Sequence, residues 1–207
     1  MTRFITLTSS VAAMAFLFAC SQQSSTAQEE DATPAAASEQ EQEAEVALPT
    51  EPTGNTSLPS MMRATGDLLG PDGSTIGNVN MIEGPKGIVM EVNVEAGGLE
   101  PGWHGIHIHQ TGDCSDTGEY KMSGGHVGKI EGGHGLLNPN GPESGDLPNV
   151  FAFEDGTAHY ETFTDLVTLA DIMDEDGGAV IVHEGRDDHL SQPIGGAGAR
   201  VACAVVQ

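Results

Sequence analysis

At 207 residues the chain is sized for one domain and an appendage, and its 31 Asp and Glu against 7 Lys and Arg give a formal charge of −24. Such an imbalance repels phosphate backbones and anionic headgroups, which excludes nucleic-acid binding. The 28 glycines and 4% aromatic content disfavour a helical bundle, and the chain holds no run of 18 apolar residues that would cross a membrane as a helix.

Residues 1–20 read as an export signal, with Arg3 as the charged start, Val11 to Ala19 as a short apolar stretch, and small residues approaching Cys20. The run Leu17-Phe18-Ala19-Cys20 resembles a bacterial lipobox, in which the signal is cut before a cysteine whose thiol is acylated. An ordinary signal peptide containing a cysteine is the alternative. Ser21 fits the outer-membrane sorting pattern, so the expectation is an exported protein on the periplasmic side, lipid-anchored to the outer membrane through Cys20. The membrane would be touched only through that anchor.

Residues 21–58 hold eight acids, from Glu29 to Glu51, and neither a base nor an aromatic residue. Ala, Gln, Ser, Thr and Pro fill most of the rest, too little apolar area to offset ordering entropy, so this segment is expected to be a disordered tether. As a flexible coil it would reach roughly 30–40 Å. Residues 59–207 then form the folded domain, with 23 acids, 6 bases and a charge near −17.

Within that domain, alternating runs are separated by turn signals. Arg63 to Leu69 precedes Gly70-Pro71-Asp72-Gly73, and Thr75 to Glu83 precedes Gly84-Pro85-Lys86-Gly87. Ile88 to Val94 alternates with Ile88, Met90, Val92 and Val94 on one side. Trp103 to His109, Val150 to Glu154, Thr157 to Phe163, Ala179 to His183 and Arg200 to Val206 complete eight predicted strands. Gln110 to Asn149 and Glu184 to Ala199 carry no strand pattern, and loops of such length are usually functional. The fold expected is all-β, an eight-stranded Greek-key sandwich or flattened barrel with two long functional loops.

All eight histidines lie between positions 104 and 189. His107 and His109, two apart on a predicted strand, project to the same face, and paired imidazoles on a rigid strand suit copper, zinc or nickel. On their own they fit a solvent-facing edge strand equally well. The wider pattern is more specific. Gly102-Trp103-His104-Gly105-Ile106-His107-Ile108-His109, Gly112-Asp113-Cys114, Gly124-Gly125-His126, His134 to Pro139, Gly145 to Asn149, Val182-His183-Glu184, Asp187-Asp188 and Gly195 to Cys203 together resemble the copper/zinc superoxide dismutases, in order, over most of residues 62–206.

The resemblance implies copper ligands at His107, His109, His126 and His183, and zinc ligands at His126, His134, Glu143 and Asp146, with His126 bridging one copper and one zinc per subunit. It implies Arg200 as the catalytic anion-docking group, a permanently charged fork suited to a small anion. Asp187 becomes the carboxylate linking a copper histidine to a zinc histidine. Cys114 and Cys203 become a disulfide, as an even pair in an exported protein also suggests. The reaction implied is dismutation of superoxide to dioxygen and hydrogen peroxide by a redox-cycling copper, with His126 supplying a proton. A copper-binding or storage lipoprotein with little turnover is the alternative from another class.

Two departures from the family pattern stand out. Glu143 occupies the place of a third zinc histidine, and two readings are open: an oxygen ligand to zinc, or a solvent-facing side chain beside weak or absent zinc. A ligating carboxylate would make the site one unit more negative and disfavour electrons arriving at copper. Val127-Gly128-Lys129 replaces the family's usual aromatic-Asn-Pro run after the bridging histidine. His104 is expected to make structural hydrogen bonds, His159 to lie on the surface and His189 to be solvated. The charge near −17 opposes an anionic substrate, so a shallow or inverted dependence of rate on salt is expected. Both monomer and homodimer are compatible with the family.

Overall fold

The structure, a computed structural model, describes residues 61–207. The export signal, Cys20 and the acidic segment to residue 58 fall outside the described residues. Strands β1 (Arg63–Leu69), β2 (Thr75–Gly84), β3 (Gly87–Val94) and β7 (Ala158–Thr164) pair antiparallel in the order β1-β2-β3-β7. Their register is regular, for example Met81 opposite Met90 and Met90 opposite Thr162. The same curled sheet continues from β1 through β9 (Arg200–Val206) and β8 (Gly178–His183) to β5 (Ile106–His109), while β4 (Gly102–His104) pairs with β6 (Val150–Ala152). The domain is thus nearly all-β, as the turn-punctuated alternation implies.

The stretch read as one strand from Trp103 to His109 is two strands, which raises the count from eight to nine among the described residues. The backbone changes partner at Gly105. His104 faces Val150, whereas Ile106 faces Val182. Between them the Gly105 N–H donates to Gly185 O at 2.8 Å and its carbonyl accepts from His183 N–H at 2.8 Å. A one-turn helix, α1 (Leu169–Ile172), was also not expected; Thr168 caps it, and its Leu169 and Ile172 are buried in the core. Neither long loop contains a strand, and the first holds only a short 3-10 turn at Lys121–Ser123.

The core explains where the histidines go. Leu68, Val79, Met81, Met90, Val92, Ile106 and Ile108 are fully buried in one cluster. Along β5 the isoleucines fill this cluster, so the period of two turns His107 and His109 to the opposite face, under the loops. That face is buried too, and the side chains covering it are polar.

Candidate metal centre

Two loop segments return to β5 and pair with it. His107 bridges to Asp146 and His109 to His126. The Ile108 N–H donates to Gly145 O, Val127 N–H to Ile108 O, and Gly145 N–H to Val127 O, all at 2.9–3.0 Å. Gly145 permits this approach, since a Cβ there would stand 2.1 Å from Ile108 O. The pairing carries His126, from the middle of the long loop, and Asp146, from near its end, to the histidines of β5. His183 arrives at the end of β8, the direct neighbour of β5.

The rings form one assembly, with centroids 4.3 Å apart for His107 and His126, 4.9 Å for His107 and His183, 5.1 Å for His109 and His126, and 5.2 Å for His126 and His134. Donor atoms of His107, His109 and His183 lie within 4.8 Å of one another, as do those of His107, His126, His134 and Asp146. The hydrogen bonds decide which atoms are available. His107 Nε2–H donates to Asp187 Oδ2 at 2.8 Å, His109 Nδ1–H to Gly124 O at 3.0 Å, and His183 Nδ1–H to Gly198 O at 3.0 Å. The remaining nitrogens, His107 Nδ1, His109 Nε2 and His183 Nε2, together with both nitrogens of His126, are buried without a hydrogen-bond partner. An orphaned buried polar atom costs about 1–3 kcal/mol. Five in one place make a donor set that fits a metal ion, and imidazole nitrogen suits copper.

On the other side of His126 the partners are acidic. Its Nδ1 lies 2.8 Å from Glu143 Oε2 and 3.1 Å from Asp146 Oδ1, without hydrogen-bond alignment to either. His134 Nδ1 is 2.7 Å from Asp146 Oδ1. Glu143 is only 3% exposed and accepts from the Ile130 N–H through Oε1 at 3.0 Å, so the solvent-facing reading of this residue is corrected. The loop closes over it because the backbone N–H groups of Glu143 and Gly135 both need Asp146 Oδ2, at 2.9 and 2.7 Å.

Burial holds His109 well below the ordinary imidazole range, His183 at about 4, and His107 at about 3 despite its bond to Asp187. Imidazoles kept neutral are ready ligands. His134 behaves oppositely: burial works against its charge, but hydrogen bonds to Asp146 and Asp187 prevail and push it up to about 9. Asp146 and Asp187 are held far below the carboxylate range by their histidine partners, which outweigh burial. Asp187 joins the two halves, since His134 Nε2–H reaches its Oδ1 at 3.3 Å while His107 holds Oδ2.

Arg200 opens β9 beside this cluster. Its Nη1 donates to Tyr120 O at 2.5 Å and Ser123 Oγ at 3.0 Å, and its Nη2 to Gly124 O at 2.8 Å. With His109, His126, Glu143 and Lys129 it lines a cleft of about 290 Å³. The Cys114–Cys203 disulfide is formed and ties the first loop to β9, three residues beyond Arg200.

Every expected site residue within the described region thus converges here; Cys20 lies outside it. His104 is buried with its ring nitrogens 2.8 and 2.7 Å from the carbonyls of His183 and Glu100, as expected of a structural residue. His159 is exposed at the surface. His189 is not freely solvated: Asn149 Nδ2–H donates to its Nε2 at 2.9 Å. Asn149 was missed as a positioning group; it accepts from the Asp187 N–H at 2.8 Å and donates to the Asp187 carbonyl at 2.9 Å. Ser123, between Arg200 and His109, was missed as well. Asn149 ends the Gly145–Asn149 motif and could have been singled out; nothing in the local sequence marks Ser123.

Comparison with known proteins agrees with this geometry. Residues 75–206 match the family model for copper/zinc superoxide dismutase. The chain is 44% identical over 151 residues to a superoxide dismutase [Cu-Zn] of Caulobacter vibrioides, covering 70% of this chain and 85% of that protein. The crystal structure of an SOD-like protein from Bacillus subtilis aligns with a TM-score of 0.62 at 30% identity, over 68% of this chain and 96% of that one. The Cu/Zn superoxide dismutase from Brucella abortus aligns with a TM-score of 0.58 at 31% identity, over 70% and 100%.

Proposed function

The chain belongs to the copper/zinc superoxide dismutase family, and from that premise we propose that it converts two superoxide ions and two protons into dioxygen and hydrogen peroxide. The observation that carries this reading is the set of buried, unpartnered ring nitrogens on His107, His109, His126 and His183 beside Arg200. Those four histidines would hold copper, which when bound supplies one-electron chemistry between two oxidation states. Arg200, its fork fixed by three acceptors, docks the anion in the cleft shared with His109 and His126. His126 Nε2 would carry a proton to the reduced dioxygen species only when it is not engaged by the metal, and Asp187 keeps His107 and His134 oriented.

For the second metal, His126 Nδ1, His134 Nδ1, Asp146 and Glu143 Oε2 form a mixed nitrogen and oxygen set compatible with tetrahedral zinc. A copper-only enzyme is the second reading. It is favoured by the approach of Glu143 to His126, because a carboxylate at 2.8 Å can itself orient the ring. We also propose export and acylation at Cys20, which mass spectrometry of the purified membrane-bound protein would register as a lipid-modified N-terminal cysteine.

The test is metal analysis paired with a superoxide-removal assay on wild type, Glu143→His and Glu143→Gln. Wild type should bind one copper per chain and remove superoxide. Zinc retained in wild type and Glu143→His but lost in Glu143→Gln supports the two-metal reading. Full activity at vanishing zinc content supports the copper-only one. Copper bound without turnover would make the protein a copper store.

A further inference from the structure

Arg200 starts β9 and His109 ends β5, two strands away in the sheet, yet their side chains meet through shared acceptors. The guanidinium donates from Nη1 to Ser123 Oγ at 3.0 Å and from Nη2 to Gly124 O at 2.8 Å. The His109 ring reaches the same two oxygens from its own side. Its Nδ1–H donates to Gly124 O at 3.0 Å and lies 3.3 Å from Ser123 Oγ. The four groups close a ring of polar contacts between the anion-docking cation and an imidazole of the proposed copper set. Gly124 enters that ring through its backbone, whereas Ser123 enters it through a side chain.

Local structure explains how the hydroxyl is held there. Asp116 accepts from the N–H groups of Lys121 at 2.7 Å and Met122 at 3.2 Å, which fixes the start of the 3-10 turn Lys121–Ser123. Tyr120, at φ 50, leads the chain into this turn; it is fully buried, and its hydroxyl donates to the Gly70 carbonyl. Ser123 ends the turn with none of its surface exposed. Its hydroxyl uses its whole capacity: the proton goes to Tyr120 O at 2.8 Å, one lone pair takes Arg200 Nη1–H, and the other faces His109. A methyl group would fill most of this space without a desolvation cost, so the buried hydroxyl answers to its partners and not to a need for volume.

We propose that Ser123 is a positioning residue that locks the Arg200 fork to the ring of His109, so that the docked anion and the redox ion keep one fixed geometry. The proposal rests on the dismutase reading above. Without the hydroxyl, each arm of the fork keeps one carbonyl, but the brace between Nη1 and the imidazole is gone and the guanidinium plane can swing. Hydrogen bonds from a charged donor are stronger than neutral ones, so losing this one should weaken anion docking about 3- to 10-fold.

The experiment compares full-length wild type with Ser123→Ala, Arg200→Gln, the double variant and Ser115→Ala, which deletes an exposed hydroxyl from the same loop. In the metal-free protein, nitrogen-15 NMR follows rotation of the Arg200 guanidinium and the His109 Nδ1–H signal. In the copper-loaded protein, affinity for azide, a small monoanion, is read from the cupric absorption band. Wild type should show resolved, slowly exchanging Nη–H signals; Ser123→Ala should average them and shift the His109 signal. Azide affinity should fall about 3- to 10-fold in Ser123→Ala and stay at the wild-type value in Ser115→Ala. In the Arg200→Gln background, Ser123→Ala should have no further effect. Freely rotating Arg200 in wild type would overturn the proposal before any substitution is made. So would unchanged azide affinity or an unmoved His109 signal in Ser123→Ala, or an equal loss of affinity in both backgrounds, which would mark the serine as structural. Wild type that binds copper but removes no superoxide would instead overturn the dismutase reading, while the guanidinium measurement is made without copper and is judged separately.

Discussion

Along β2 and β3 the buried positions are Val79, Met81, Ile88, Met90, Val92 and Val94, all apolar, and the side chains between them face outward. Under the two long loops the buried positions are His107, His109, His126, His134, Glu143, Asp146, His183 and Asp187, each at most 3% exposed. The sheet meets its own needs: apolar area leaves water while every paired backbone group is satisfied. The face under the loops does not, because five ring nitrogens of His107, His109, His126 and His183 are buried without partners. What holds the loops in place comes from elsewhere, in the backbone pairing to β5, the Cys114–Cys203 bond and the Asp187–Asn149 contacts. The comparison separates a frame that stands alone from a site that the frame keeps in a costly, reactive arrangement.

Substitutions on the two sides should therefore fail in different currencies. The largest effect is expected from His126→Ala, which removes the proposed proton donor and metal ligand; superoxide removal should fall by about 10²- to 10⁴-fold. Melting of the metal-free protein should change far less, and a collapse of its fold would break the separation. Met81→Ala should do the reverse, costing about 2–5 kcal/mol in urea unfolding while the folded fraction still binds copper at wild-type stoichiometry. Asp187→Ala lies between the regions. With both His107 and His134 losing their orienting partner, copper affinity in a competition titration should drop about 10- to 100-fold.

The smallest and most diagnostic effect is that of pH on the metal-free protein. His107 and His183 titrate at about 3 and about 4 when folded, below the ordinary value of about 6.5. The unfolded chain therefore takes up protons first, and stability should fall as pH drops from about 6.5 toward 4. His134, raised to about 9, contributes fully below about 6.5 and loses that contribution as pH rises through 9. Chelator-treated protein should be most stable near the boundary between the two windows. Thermal melts that rise or fall monotonically from pH 4 to 9 would contradict the charge states assigned to these rings.

Much of this was legible in the sequence, for physical reasons that differ by region. Ile88 to Val94 reads as a strand because burial alternates with period two, and Met90 and Val92 are buried while Val89 and Glu91 are exposed. The metal centre reads through a resemblance whose motifs keep their order along the chain. The break at Gly105 did not read, because it depends on which neighbours the backbone finds on either side. Helix α1 is a single turn, too short for a helical period to show. The state of Glu143 depended on how the loop closes over Asp146, and the position of Lys129 on a cleft built from residues between 109 and 200. Both are properties of tertiary packing that no local window contains.

The proposed dismutase requires four imidazoles to share one redox-active ion. Electron paramagnetic resonance of the protein reconstituted with one equivalent of copper tests it most directly, read beside His126→Ala. Wild type should give a type-2 cupric signal with coupling to several imidazole nitrogens, simplified by one nitrogen in the variant. A spectrum of loosely bound aqueous copper in wild type, or one identical in the two proteins, would contradict it.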